Sequence, residues 1–273
     1  MLHKNGLSTN PEVIAELGPG DSLGIGLAAL ISGADKYYTL DIKKYATNKN
    51  NIKVFDELVN LFIKREKIPN EAEFPYIKPF LESCEFPQHI LTNKRLNEAL
   101  NPIRIESIRD VLWNPDDNNK GDIRIAYFVP WYNPDIIREA SVDLVYSQAV
   151  LEHVDGLINT YETLYHWLKP GGVVSNQIDF HCHGLSRVWN SHWTYSDFVW
   201  KLIRGKRIYF LNREPHSTHI NLLKNFGFRV ICDIKIKDAS EIQRKQLASR
   251  FKNISDDDLT TSRAFIQAVK ESG

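Results

Sequence analysis

The chain has 273 residues, 42% hydrophobic and 25% charged, with 34 Lys+Arg balanced by 34 Asp+Glu. That length suits one large α/β domain or a domain with a sizeable insertion, and the zero formal net charge argues against a broad nucleic-acid surface. Three scattered cysteines (Cys84, Cys182, Cys232) exclude a disulfide framework, "MLHKNGLSTN" has no apolar leader, and no run of about 18 apolar residues could span a bilayer, so a cytoplasmic protein is expected.

In chain order, Glu12–Leu17 ("EVIAEL") predicts a buried strand. Leu23–Ile31 predicts a helix rich in small residues, and Lys36–Leu40 a second short strand. Such a β-loop-α-β unit favours parallel pairing through a right-handed crossover. The alternation then stops. Ile52, Phe55, Leu58, Val59 and Phe62 recur at helical spacing within Asn50–Lys67. Pro69, Pro75 and Pro79 punctuate the next stretch, before two more helices over Leu91–Leu100 and Ile103–Leu112. Residues of about 45–120 therefore read as a helical insertion capping the sheet edge or an acceptor cleft. Burial of its apolar faces against a second copy would make it a homodimer element.

The alternation resumes with strands over Asp122–Val129 and Val142–Ser147. A helix over Gly156–Leu168 is stopped by "KPGG" at Lys169–Gly172, and Val173–Phe180 is another strand. Residues of about 180–215 form an irregular, aromatic second insertion. His219–Phe228 predicts a helix with Gly227 as its C′ residue. Phe228–Ile236 and Ser262–Val269 predict the last strands, with Ser240 and Gln243 as a capping box for a helix between them. The whole reads as one domain, residues 1–273, carrying two insertions.

The chemistry begins at "ELGPG", where a strand ends in a glycine-rich turn and enters a helix. Glycines let the backbone approach a ligand, and ligands of α/β sheets sit at the carboxyl ends of strands. Asp41 ends the second strand, where an acid can hold ribose hydroxyls. The spacing of Gly18, Gly20 and Gly24 is not the G-x-G-x-x-G of dinucleotide enzymes, and no G-x-x-x-x-G-K-[ST] exists. Glu16 adds an acid two residues before the first glycine. Its plain alternative is a surface acid at a strand end.

With "VDLVYSQAVLEHV" and "LYHWLKPGGVV" downstream, the chain resembles the class I S-adenosylmethionine-dependent methyltransferase superfamily. "ELGPG" resembles that family's first motif and "YTLD" its ribose-binding acid. "DLVYSQAVLEHV" resembles the fourth strand, and "LKPGG" the turn before the fifth. The resemblance spans nearly the whole chain. It implies an α/β fold with a Rossmann-like, mostly parallel seven-stranded sheet, order 3-2-1-4-5-7-6, strand seven antiparallel. It also implies S-adenosyl-L-methionine as cofactor. Glu16, Gly18, Pro19 and Gly20 would line its methionine side, Asp41 would take the ribose diol, and Ser147 and Gln148 would sit under the methyl. His153 would shape the cofactor side. The acid that the family carries after strand three is missing from "AYFVPWYNPD", so Phe128 or Trp131 is expected to stack on adenine instead.

The segment after strand five, "QIDFHCHGLSRVWNSHWTYSDF", gathers histidines, an acid and tryptophans. In this class it commonly borders the acceptor. The segment further resembles a bacterial subgroup associated with surface-glycan loci. Small-molecule or glycan-type O-methylation is expected, with His183 as general base, Asp179 as its orienting partner and His181 as the other candidate base. Asp179, His181 and His183 alternate as metal ligands could, but no fourth ligand is evident and no metal is assigned. The tryptophans read as ordinary core more often than as a binding platform. The rival readings are a methyltransferase-like binding module without catalysis and a dinucleotide oxidoreductase. The glycine spacing and the "LEHV…LKPGG" pair argue against the second.

Overall fold

The computed structural model describes residues 1–74, 81–114, 121–131, 133–207 and 209–271; Pro75 and Pro79 lie outside the described residues. Seven strands are formed: β1 (Val13–Leu17), β2 (Lys36–Leu40), β3 (Arg124–Phe128), β4 (Val142–Gln148), β5 (Leu168–Asp179), β6 (Phe228–Lys237) and β7 (Thr261–Lys270). They make a sheet in the order β3-β2-β1-β4-β5-β7-β6, as the sequence resemblance implies. β1 pairs in parallel with β2 and β4, β2 in parallel with β3, and β6 antiparallel with β7. Eight helices accompany them among the described residues: α1 (Gly24–Ile31), α2 (Asn48–Lys64), α3 (Asn93–Ala99), α4 (Pro102–Trp113), α5 (Leu157–Trp167), α6 (Asp197–Arg204), α7 (His216–Asn225) and α8 (Asp256–Thr260). None of the helices described is long and apolar enough to cross a membrane.

The chain divides into two compact units, residues 1–147 with 166–173, and residues 148–165 with 174–273. In the first, every residue of β1 is buried, as a parallel strand flanked on both sides requires. Asp143 sets where it starts: Oδ2 accepts from the backbone N–H of Glu12 (3.0 Å) and Val13 (2.8 Å), and Oδ1 from Lys169 Nζ at 2.6 Å. α2, α3 and α4 start on caps: Thr47 for α2, Thr92 for α3, and Asn101 before Pro102 for α4. Phe55 of α2 and Ile105, Ile108 and Leu112 of α4 join one core with Ile14, Leu27 and Tyr37. Arg95 of α3 donates to the carbonyls of Ser32 (2.9 Å) and Thr9 (2.7 Å). Arg104 of α4 donates to Asp35 at 2.9 Å and to the Ala34 carbonyl at 2.5 Å. α3 and α4 are thus anchored on the corner between α1 and β2.

The small residues of α1 have a specific use. A Cβ on Gly26 would stand 2.0 Å from Cζ of Tyr37, whose ring is fully buried. The glycine lets the helix lie directly on that ring.

In the second unit, Trp189 and Trp193 pack with Ile242, Leu247, Phe251, Ile254 and Leu259. Gly227, φ 86°, follows the last turn of α7 as expected. Three local expectations change. "KPGG" is the beginning of β5 rather than a turn ahead of it. The capping box is Gln243 with Gln246, on a single 3-10 turn. Ser240 instead donates to the Ile242 carbonyl and accepts from Asn190. Within residues 180–215 lies α6, which opens on Ser196 as cap with Asp197 in its first turn.

Gly26→Ala should lower stability by about 1–3 kcal/mol, the usual cost of overpacking a core. A urea melt checks this, and an unchanged midpoint would mean that Tyr37 has room to move.

Candidate functional site

In the first unit, register brings the predicted cofactor residues together. Leu17 stands opposite Leu40 of β2 and Ser147 of β4. Glu16, the loop Gly18-Pro19-Gly20, Asp41 and Ser147 therefore occupy the carboxyl ends of three adjacent parallel strands. Gly18 (φ 65°) and Gly20 (φ 70°) turn through left-handed backbone, which a side chain would strain. The Gly18 N–H donates to the Leu40 carbonyl at 2.8 Å, tying the loop to β2. Asp41 is 6% exposed; its Oδ1 accepts from Ile42 N–H at 2.7 Å, and its own N–H donates to the Phe128 carbonyl. Asn51 of α2, also buried, accepts the Leu23 N–H at the entry to α1.

Glu16 is not a surface acid. It is buried within β1, and its Oε2 accepts the hydroxyls of Tyr37 on β2 and Tyr146 on β4 (3.1 Å from the latter). Burial pushes its carboxyl up to about 7, against the lowering effect of the two tyrosines. On the adenine side, Trp131 is buried against Trp167, with ring centroids 6.3 Å apart, so it serves the core. Phe128 stays half-buried.

The second unit holds Gln148, which is exposed, and the histidine cluster. Asp179 Oδ1 accepts twice from His181, from Nδ1 at 2.5 Å and from the backbone N–H at 2.9 Å. That bond fixes the tautomer with a proton on Nδ1 and a lone pair on Nε2. Asp179 Oδ2 faces Arg263 Nε at 3.5 Å and His183 Nε2 at 3.9 Å, beyond hydrogen-bond reach. Burial raises the Asp179 carboxyl, but the His181 hydrogen bonds and the charges of His181 and Arg263 outweigh it and hold it below the usual range. His183 instead meets the ring of His153, centroids 4.8 Å apart. Burial lowers the pKa of both imidazoles. Asp179 thus hydrogen-bonds His181, while the expected His183–Asp179 pair is present only as a 3.9 Å ion-pair contact.

The other aromatic and histidine signals are structural. Trp189, Trp193 and Trp200 are 8%, 0% and 6% exposed. His216 Nε2 pairs with Asp233 at 2.8 Å, and His219 Nδ1 with the Tyr161 hydroxyl at 2.9 Å. Burial drives His192 and His219 down to about 3, so both are neutral. Arg213, side chain 2% exposed, pairs with Asp197 and lies over Trp200 at 4.6 Å.

Several site residues escaped the sequence reading. Tyr37 and Tyr146 look like ordinary strand aromatics. Glu152 stands in "LEHV" and looks like the surface acid of a helix start. In fact it is 4% exposed, with its carboxyl pushed up to about 8 by burial. Asn212 donates to the carbonyls of Leu151 (2.7 Å) and Val154 (3.1 Å), clamping the loop that carries Glu152 and His153. No local pattern marks Asn212, because the loop it clamps lies about sixty residues earlier.

No protein-family model and no curated protein matches the sequence. Among solved structures, the chain is similar to an S-adenosylmethionine-dependent methyltransferase of Methanosarcina mazei, 13% identical, covering 100% of this chain and 98% of that one, TM-score 0.49. It is similar to another from Mesorhizobium loti, 14% identical, covering 98% and 95%, TM-score 0.47. Phosphoethanolamine N-methyltransferase 2 of Haemonchus contortus is 16% identical, over 99% of this chain and 51% of that one, TM-score 0.46. Likenesses at this level assign neither a family nor an activity.

Glu16 holds its proton to about 7 in the folded chain, against 4.5 as the ordinary value. Between those values the folded state binds more protons than the unfolded one, so stability falls as pH rises through 7. The loss is about 3 kcal/mol at most. The urea midpoint should therefore drop between about pH 5 and about pH 8, and Glu16→Gln should remove that share of the drop. Identical drops in both proteins would rule the assignment out.

Proposed function

We propose that the chain is an S-adenosylmethionine-dependent methyltransferase that modifies a hydroxyl of a small-molecule or glycan-type acceptor. One observation carries the reading: Glu16, the glycine turn, Asp41 and Ser147 meet at the ends of three adjacent parallel strands. In that arrangement, Asp41 would take the ribose hydroxyls and the backbone of Gly18-Pro19-Gly20 the methionine end. Ser147 and Gln148, consecutive at the end of β4, would follow toward the sulfonium.

The transfer is an in-line displacement. The acceptor oxygen forms a bond to the methyl carbon, the carbon–sulfur bond breaks, and S-adenosylhomocysteine leaves. Positioning supplies much of the acceleration. An alcohol must also lose its proton, and His181 is the group suited to receive it. Its Nδ1–H is held by Asp179, which leaves Nε2 to accept a proton and an ionised carboxylate to stabilise the resulting imidazolium. The balanced charge of the chain and its lack of basic runs favour a small or glycan-type acceptor over nucleic acid.

Calorimetry with S-adenosylmethionine, S-adenosylhomocysteine and NAD separates the readings. Both adenosyl compounds should bind and NAD should not. Binding of NAD alone would favour an oxidoreductase, and binding of none would remove the cofactor assignment. Asp41→Ala should cost about 1.5–3 kcal/mol of affinity through lost charge-assisted hydrogen bonds. With an acceptor that turns over, His181→Asn should lower kcat by about 10²–10⁴-fold and leave cofactor affinity nearly intact. Retained turnover would exclude His181 as the base, and joint loss of binding would make it structural.

A further inference from the structure

We infer that Glu152, His153 and His183 form a binding site for one divalent transition-metal ion of the zinc class, held by a carboxylate oxygen and two imidazole nitrogens. The inference stands apart from the methyl-transfer reading. One ligand atom from each residue lies within 4.8 Å of the others. Metal bonds of about 2.0–2.2 Å require ligand atoms somewhat closer than this, and the change is within the reach of side-chain rotation.

Two of the three residues bury a polar atom with nothing to bind. Oε2 of Glu152 and Nδ1 of His153 are both buried without a hydrogen-bond partner. Neither protonation state repairs this. An ionised Glu152 would be a buried charge with no counterion, while a proton on Oε2 would be a donor with no acceptor. Its other oxygen is already engaged, accepting the Asp179 N–H at 3.3 Å. His153 has the matching problem at Nδ1. A backbone hydrogen bond at Tyr209 engages His153, and with Nδ1 unpartnered that bond falls to Nε2. Such a bond to the backbone is what commonly orients a metal-binding histidine and leaves its other nitrogen with a lone pair. A cation would satisfy Oε2 and Nδ1 together.

The backbone also delivers these residues at a cost. His183 sits at φ 47°, in the left-handed region that few non-glycine residues adopt. Strain of this kind persists where surrounding structure holds it, and it clusters at functional sites. Here it places the ring against His153. On the other side, the Asn212 clamp fixes the loop from Leu151 to Val154. Two nitrogens and one oxygen favour zinc-class ions over magnesium or calcium, which prefer oxygen alone. Three protein ligands would leave a position open to water or a small oxygen ligand, the pattern of catalytic rather than structural zinc.

The test uses the full chain, stripped with a chelator and desalted, then titrated with zinc chloride by calorimetry and with cobalt chloride by visible absorbance. One equivalent of zinc per chain should bind and raise Tm. Cobalt should give ligand-field bands that zinc abolishes, and magnesium or calcium should have no effect. Glu152→Gln and His183→Gln should each weaken zinc binding by about 100-fold or more. His89→Gln, whose ring pairs with His3 in the first unit, should bind as the wild type does. If Glu152→Gln fails to fold, His183→Gln decides, because its side chain is 29% exposed. Absence of stoichiometric zinc binding in the wild type, or wild-type affinity in His183→Gln, overturns the inference. No cofactor enters the measurement, so this result and the S-adenosylmethionine titration can fail independently.

Discussion

The first unit is organised by one buried carboxyl. Glu16 lies inside the central strand, and the hydroxyls of Tyr37 and Tyr146 reach it from the strands on either side. An acid placed there without partners would cost several kcal/mol. The tyrosines and a retained proton offset that cost. They also link β2, β1 and β4 by side chains as well as by the backbone ladder. The demand spreads outward, because Tyr37 can occupy its place only where α1 presents Gly26. That explains why a helix of small residues follows a glycine turn. The register of β1 with β2 and β4 brings Leu40, just before Asp41, and Ser147 level with Leu17 at the start of the glycine loop.

The second unit follows a different rule. Its polar residues are mostly consumed by structure. Arg213, His216 and His219 pair with Asp197, Asp233 and Tyr161, although Nε of Arg213 and Nε2 of His219 stay buried without a hydrogen-bond partner, and the tryptophans fill the core. What remains is compact. His181 and Asp179 form a hydrogen-bonded pair, and Glu152, His153 and His183 form a neighbouring set with unpartnered atoms. A partnered histidine can move a proton in a defined direction, whereas three ligand atoms gathered within 4.8 Å of one another can share one ion.

The sequence by itself determined the local and periodic features. Strand limits, the helical stretch around Asn50–Lys67 and Gly227 as the C′ residue of α7 follow from spacing and backbone preference within a few residues. The place of Asp41 follows too, because strand, turn, helix and strand leave it one position at the end of β2. Tertiary structure decided everything that depends on which side chains meet across the chain. Asp179 hydrogen-bonds His181 and leaves His183 at 3.9 Å, where the left-handed backbone of His183 carries that ring to His153. Glu152 becomes buried through a loop that Asn212 clamps from about sixty positions later. Trp189 and Trp193 are core because α8 and the turns before it pack on them. Spacing encodes which face a residue occupies; partners far apart in sequence are set by the path of the backbone, which no local pattern records.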